Sequence, residues 1–94
     1  MTEEKRKAPR KVDFLLKFRE DLAWHIKNDR KVALKALELV EAVCADPFAG
    51  IGKPEPLKHE LAGCWSRRIT QEHRLVYRVT SDRIDFLQAR FHYE

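Results

Sequence analysis

Three apolar-rich segments in the C-terminal half, residues 64–70, 74–80 and 84–93, are joined only by Gln71-Glu72-His73 and Ser81-Asp82-Arg83. A three-residue join can reverse a strand but cannot carry a crossover, so these segments are predicted to pair as an antiparallel meander. Strand side chains alternate between faces, which sorts the residues. In the middle strand Leu75, Tyr77 and Val79 fall on one face and Arg74, Val76 and Arg78 on the other. In the last strand Leu87, Ala89, Phe91 and Tyr93 are predicted to share one face, and Gln88, Arg90 and His92 the opposite one. The open face of the sheet would then carry arginines and a histidine.

Upstream, the period changes. Hydrophobic character begins at Val12, and residues 14–16 read as a short strand. From Lys17 the spacing of Phe18, Leu22 and Ile26 predicts a helix with one apolar stripe. Asp29 is placed to cap a second helix, in which Val32, Ala33, Ala36, Leu37, Val40, Val43 and Cys44 recur at helical spacing. Ala45-Asp46-Pro47 ends it, because proline disfavours helical geometry in the residue before it. The predicted class is α+β, with two helices packed on one face of an antiparallel sheet and the other face open. Residues 1–11 are polar and charged and read as a flexible tail, leaving 12–94 as a single domain. A chain of 94 residues has room for one core.

Composition narrows the function classes. A net charge of +4 permits a polyanionic partner such as nucleic acid, although charge of this size serves solubility equally well. No apolar run approaches the roughly 20 residues of a membrane-spanning helix, and no secretory signal is expected, because no continuous hydrophobic stretch follows the first basic residues. Cys44 and Cys64 form neither a disulfide framework nor a metal-ligand pattern, which suits the cytoplasm. His25, His59 and His73 supply no helical HxxxH pair, so no metal or cofactor is expected.

Residues 48–63 hold all three glycines, together with Pro54 and Pro56, and read as a long loop with fixed bends. Glu55 lies between the two prolines, a stiff setting suited to a positioned base, though a solvated loop glutamate would look the same. Arg67, Arg68 and Arg74 flank one tight turn, and guanidinium groups bind phosphate through paired hydrogen bonds. Which of Arg67 and Arg68 shares a face with Arg74 depends on register, and a solvated sheet face partnered by Glu72 is the competing reading. His92 can give or take a proton near neutral pH, as can any surface histidine. The residues by themselves reach a phosphate-binding sheet with an acid–base pair, Glu55 and His92, and no specific reaction.

The motifs KPEPLKH, WSRRIT and EHRLVY, in that order between residues 52 and 80, are followed by the ending FHY at Phe91-His92-Tyr93. In these the chain resembles the YoeB (Txe) family, RelE-like toxins of bacterial type II toxin–antitoxin pairs. The resemblance implies a RelE-like fold and a ribosome-dependent endoribonuclease that cuts messenger RNA in the ribosomal A site without a metal. It puts the catalytic glutamate at Glu55, the phosphate-stabilising arginine at Arg74 and the acid histidine at His92. Lys58, Arg68 and Tyr93 match supporting positions, and Lys53 and Arg67 complete the expected phosphate-binding set. The implied partners are the ribosome with its message, an antitoxin of the YefM/Phd type and a second copy of the toxin. The chain departs from the pattern by Glu94 after the terminal tyrosine, by Ala49 and Ile51 in the loop, and by Cys64. Those departures sustain an alternative: a catalytically weakened homologue acting mainly in antitoxin binding and operon regulation.

Overall fold

A computed structural model describes residues 9–91. The elements run β1 (Lys11–Phe14), α1 (Leu16–Asn28), α2 (Arg30–Ala45), β2 (Glu55–Pro56), a 3-10 turn (His59–Leu61), β3 (Cys64–Arg68), β4 (Arg74–Val79) and β5 (Arg83–Gln88). They form a five-stranded sheet of order β1-β5-β4-β3-β2. The expected meander is present, as β3–β4–β5. The sheet as a whole is mixed, because β1 returns through both helices to pair parallel with β5.

The first strand lies three residues earlier than the apolar run at 14–16 suggested. Lys11–Phe14 pairs with Arg83–Phe86, and Leu15 donates its N–H to the Phe86 carbonyl as the chain turns into α1. The strand thus begins within the segment read as a tail. Phe14 earns its place by stacking on Phe18 and Phe86, with ring centroids 5.4 and 5.2 Å apart. Asp29 caps α2 as expected, accepting from the Lys31 amide at 3.1 Å.

The helices cover one face only. Phe18 from α1 and Ala36, Leu39, Val40 and Val43 from α2 pack on Leu75, Tyr77, Ile84 and Phe86. The inward stripe of α1 is not the apolar one expected. Phe18, Asp21 and His25 are buried, whereas Ile26 faces solvent. A polar stripe one residue off the apolar one wins because Asp21 and His25 find backbone partners on the chain beyond β5. In α2, Leu37 and Cys44 are likewise exposed and Leu39 is fully buried.

Alternation holds through β4 but breaks in β5. Tyr77 pairs with Phe86 while the adjacent Val76 pairs with Gln88, so Leu87 is an extra residue in a bulge. Leu87 and Gln88 therefore both lie on the open side, and Leu87 joins a small open-side cluster of Leu57, Leu61, Cys64 and Val76. Ala89 returns to the main core. The expected grouping of Leu87 with Ala89 is corrected by this single inserted residue. The strand stops at Gln88, and Arg90 stacks on Trp24 of α1, its guanidinium carbon 3.7 Å from the ring centroid, instead of joining the open face.

Candidate active site

The open face is organised by the strand register. Glu55 lies opposite Ser66 on β3, Ser66 opposite Val76 on β4, and Val76 opposite Gln88 on β5. The next same-face position along β3 is Arg68, and it lies directly opposite Arg74. One row of the sheet thus carries Glu55 at its edge, and the neighbouring row carries two arginines side by side. Directly opposed like charges destabilise a strand pair unless something anionic lies over them.

The glutamate is held by its loop. Glu55 and Pro56 form the edge strand β2, and the chain then dives so that Leu57 is buried against Cys64 and Val76. Lys53 and His59, on either side of this stretch, have φ of 53° and 60°, left-handed angles uncommon for side-chain-bearing residues. Between these bends, residues 55–61 line an open pocket of about 480 Å³ whose polar groups include Glu55, Lys58, His59 and Glu60. Lys53, Glu55 and Lys58 are exposed, free to meet a ligand.

Arg67 and Arg68 part company here. Arg68 is exposed on the open face beside Arg74. Arg67 is fully buried on the helix side, and the expectation that it binds phosphate is corrected. Its Nε donates to the Tyr77 hydroxyl at 3.1 Å, Nη1 to the Ile51 carbonyl at 3.0 Å, and Nη2 to the carbonyls of Asp46 and Ala49 at 2.5 and 3.0 Å. Both terminal nitrogens point into residues 46–51, so this arginine fastens the loop that leads to Glu55. The motif alone could not separate the two arginines, because a one-residue change of register exchanges their faces.

Arg74 is anchored at one end. Its Nη1 donates to the carbonyls of Thr70 and Gln71 in the β3–β4 turn at 2.9 and 3.1 Å. Arg78 is committed to another role, because it pairs with buried Asp85 at 2.9 Å, and Arg83 pairs with the same carboxylate at 3.0 Å. Burial alone would raise the pKa of Asp85, but hydrogen bonds from Arg78 and Arg83 outweigh it and leave that pKa below its ordinary value. His92 and Tyr93 lie outside the described residues. Phe91, immediately before them, gives its carbonyl to the Arg74 N–H at 3.1 Å. Among the described residues, no three of His, Cys, Asp and Glu gather where they could hold a metal ion. No helix there is long and apolar enough to cross a membrane.

Residues 14–93 match the family described as the YoeB-like toxin of bacterial type II toxin–antitoxin systems. The chain belongs to the YoeB family. It is 53% identical to Toxin YoeB of Mycobacterium bovis over 74 residues, covering 79% of this chain and 87% of that toxin. It is 49% identical to Toxin YoeB of Escherichia coli K12 over 74 residues, 79% of this chain and 88% of that one. Among solved structures, the YoeB/ParE toxin from Agrobacterium tumefaciens superposes with a TM-score of 0.83 at 45% identity, covering 88% of this chain and 99% of that one. The YoeB dimer from Staphylococcus aureus gives 0.80 at 39%, covering 92% and 100%. The RelE-like fold extends to YafQ of E. coli, at a TM-score of 0.71 and 14% identity, a likeness of fold alone. In this YoeB-family chain, the residues to which the sequence alone gives no role are Ser66 and Gln88, which share a row with Glu55, and the buried trio Asp21, His25 and His73 packed against residues 89–91. A two-residue edge strand and a bulge leave no periodic signal by which to find that row.

Proposed function

We propose that this YoeB-family toxin is a ribosome-dependent endoribonuclease that cuts messenger RNA in the ribosomal A site and so stops translation. The observation that carries the reading is the open sheet face. It sets Glu55 on a fixed edge, places Arg68 and Arg74 side by side in the next row, and ties the residue before His92 to the start of β4. RNA brings its own nucleophile in the 2′-hydroxyl, so the protein needs a base, an acid and positive charge. Glu55 takes the 2′-hydroxyl proton as that oxygen attacks the adjacent phosphorus. His92, protonated, gives its proton to the departing 5′-oxygen. Arg74, with Lys58 and Arg68, stabilises the added negative charge on the phosphoryl oxygens. Lys53 and Tyr93 help to hold the RNA.

The products are a 2′,3′-cyclic phosphate or 3′-phosphate and a 5′-hydroxyl, and DNA, lacking the 2′-hydroxyl, is inert. No step in this scheme calls on a metal ion. The solved YoeB–YefM complex from S. aureus, 38% identical, supports a YefM-type antitoxin as a partner, and the YoeB dimer from the same organism supports self-association. The site of action is the cytoplasm, where ribosomes and antitoxin meet.

The test uses ribosomes stalled on a defined message, with 5′ ends mapped for wild type, Glu55→Ala and His92→Gln. Each variant is expected to lose at least about 10²-fold in cleavage rate. Cleavage that persists undiminished in both variants overturns the assignment. Cleavage of free RNA at high enzyme concentration with excess chelator tests the metal independence, because ribosomes themselves need magnesium.

A further inference from the structure

The chain just ahead of His92 is gripped by side chains from other elements. Ala89 is wholly buried, its N–H donating to Asp21 Oδ2 at 2.9 Å and its carbonyl accepting from His25 Nε2 at 2.7 Å. Two residues on, the Phe91 N–H donates to His73 Nδ1 at 2.7 Å and its carbonyl accepts from Arg74 at 3.1 Å. Asp21, His25 and His73 are 2%, 1% and 7% exposed. The other Asp21 oxygen pairs with Lys17, and the His25 and His73 rings meet edge to face at 4.7 Å.

A strand end needs no buried charge to stop. Burying a carboxylate and two imidazoles costs free energy unless each is hydrogen-bonded, and here each spends a bond on two residues of one segment. The sheet ladder has ended at Gln88, so these side chains serve the Ala89 N–H and carbonyl and the Phe91 N–H, while the Phe91 carbonyl keeps a backbone partner in the Arg74 N–H. Phe91 leaves the clasp with φ of 58°, a left-handed angle that an unrestrained segment would relax. An ordinary strand end explains none of this expense.

We propose that Asp21, His25 and His73 are positioning residues for RNA cleavage, clamping residues 89–91, the segment that leads into His92. The inference rests on the nuclease reading above. The hydrogen-bond directions fix the protonation it requires. A carbonyl only accepts, so His25 Nε2 carries a hydrogen. An amide N–H only donates, so His73 Nδ1 presents its lone pair and the ring is neutral. Burial and the neighbouring charges of His25 and Arg90 favour that neutral form, against the opposing pull of Glu72 and Asp21.

Paired substitutions separate positioning from folding. His73→Phe and His25→Leu keep bulk but remove the acceptor and the donor, whereas His73→Asn and His25→Gln retain them. Single-turnover cleavage on stalled ribosomes is expected to fall about 10²-fold for the first pair, with KM within about threefold, and to recover most of that loss in the second. The Phe91 amide proton resonance, shifted downfield by its bond to imidazole, is expected to move upfield in His73→Phe. Because His73→Asn cannot titrate there, the ratio of wild-type to His73→Asn rates is expected to drop as pH falls through the lowered pKa of His73. Undiminished cleavage by folded His73→Phe and His25→Leu overturns the proposal, as does a flat rate ratio if those variants fail to fold. Wild-type protein that cuts no RNA overturns the nuclease reading instead, and the amide shift still reports whether the clasp holds residues 89–91.

Discussion

The Tyr77 hydroxyl accepts from Arg67 Nε at 3.1 Å and donates to the Pro47 carbonyl at 2.7 Å, joining a buried cation on β3 to the far end of α2. Truncating either residue strands the groups it bonds. Tyr77→Phe removes one hydroxyl and two bonds and is expected to cost about 1–3 kcal/mol. Arg67→Met strands the carbonyls of Asp46, Ala49 and Ile51 as well, and is expected to cost about 3 kcal/mol or more. Urea denaturation of both variants checks the order. An Arg67→Met midpoint equal to wild type would show that the loop stands without its anchor.

The same loop contains a glycine at a left-handed and tightly packed position. Gly52 has φ of 84°, and a Cβ there would lie 2.7 Å from Leu39 Cδ2 and 3.1 Å from Arg67 Cβ. Gly63, at φ of 92°, has nothing within 4 Å of the same atom. Gly63→Ala is expected to cost only the left-handed backbone penalty, about 1–2 kcal/mol. Gly52→Ala adds a core clash and is expected to cost at least about 1 kcal/mol more. Equal thermal shifts for the two variants would refute the close approach.

What was legible in the sequence follows the same division. The meander showed because three alternating segments separated by three-residue joins admit one pairing, and the second helix showed because its cap and apolar repeat agree. Glu55 was singled out by its prolines, yet its alignment with Ser66, Val76 and Gln88 depends on a two-residue strand too short to leave a pattern. The single extra residue at Leu87 reverses the faces beyond it, and no local propensity marks a bulge there. Asp21 and His25 were passed over because a polar stripe on an amphipathic helix ordinarily faces water. Their partners are backbone groups 64 and 68 residues away, which no periodicity can reveal.

Arg68 and Arg74 lie opposite each other on the open face, so stability and function are expected to pull apart there. Arg68→Gln relieves a like-charge pair and is expected to raise the urea midpoint by a few tenths of a kcal/mol equivalent. On the proposed function, the same change removes one phosphate contact. Binding of RNA by the variant should weaken, and the slope of log affinity against log salt should shrink by about one. An unchanged salt slope would mean that Arg68 does not touch the RNA backbone.

The acceptor role of His73 also predicts how stability depends on pH. Burial first, and then the charges of His25 and Arg90, hold the His73 pKa below its ordinary 6.5, despite the opposing influence of Glu72 and Asp21. The unfolded chain, with the higher pKa, takes up a proton first as pH falls, so acid favours unfolding. The contribution of His73 is therefore complete above about pH 6.5 and is lost as pH drops through the folded value. Below that value the ring must charge, and Nδ1 can no longer accept from the Phe91 amide. Asp85, whose pKa is lowered by Arg78 and Arg83 against the effect of burial, adds a separate loss only below about pH 3.8. Urea midpoints measured from pH 8 to pH 4.5 isolate the histidine window. Wild type is expected to lose stability below pH 6.5 more steeply than His73→Asn, which keeps an acceptor and has no proton to gain. Parallel profiles for the two proteins would show that His73 does not hold the chain end in its neutral form.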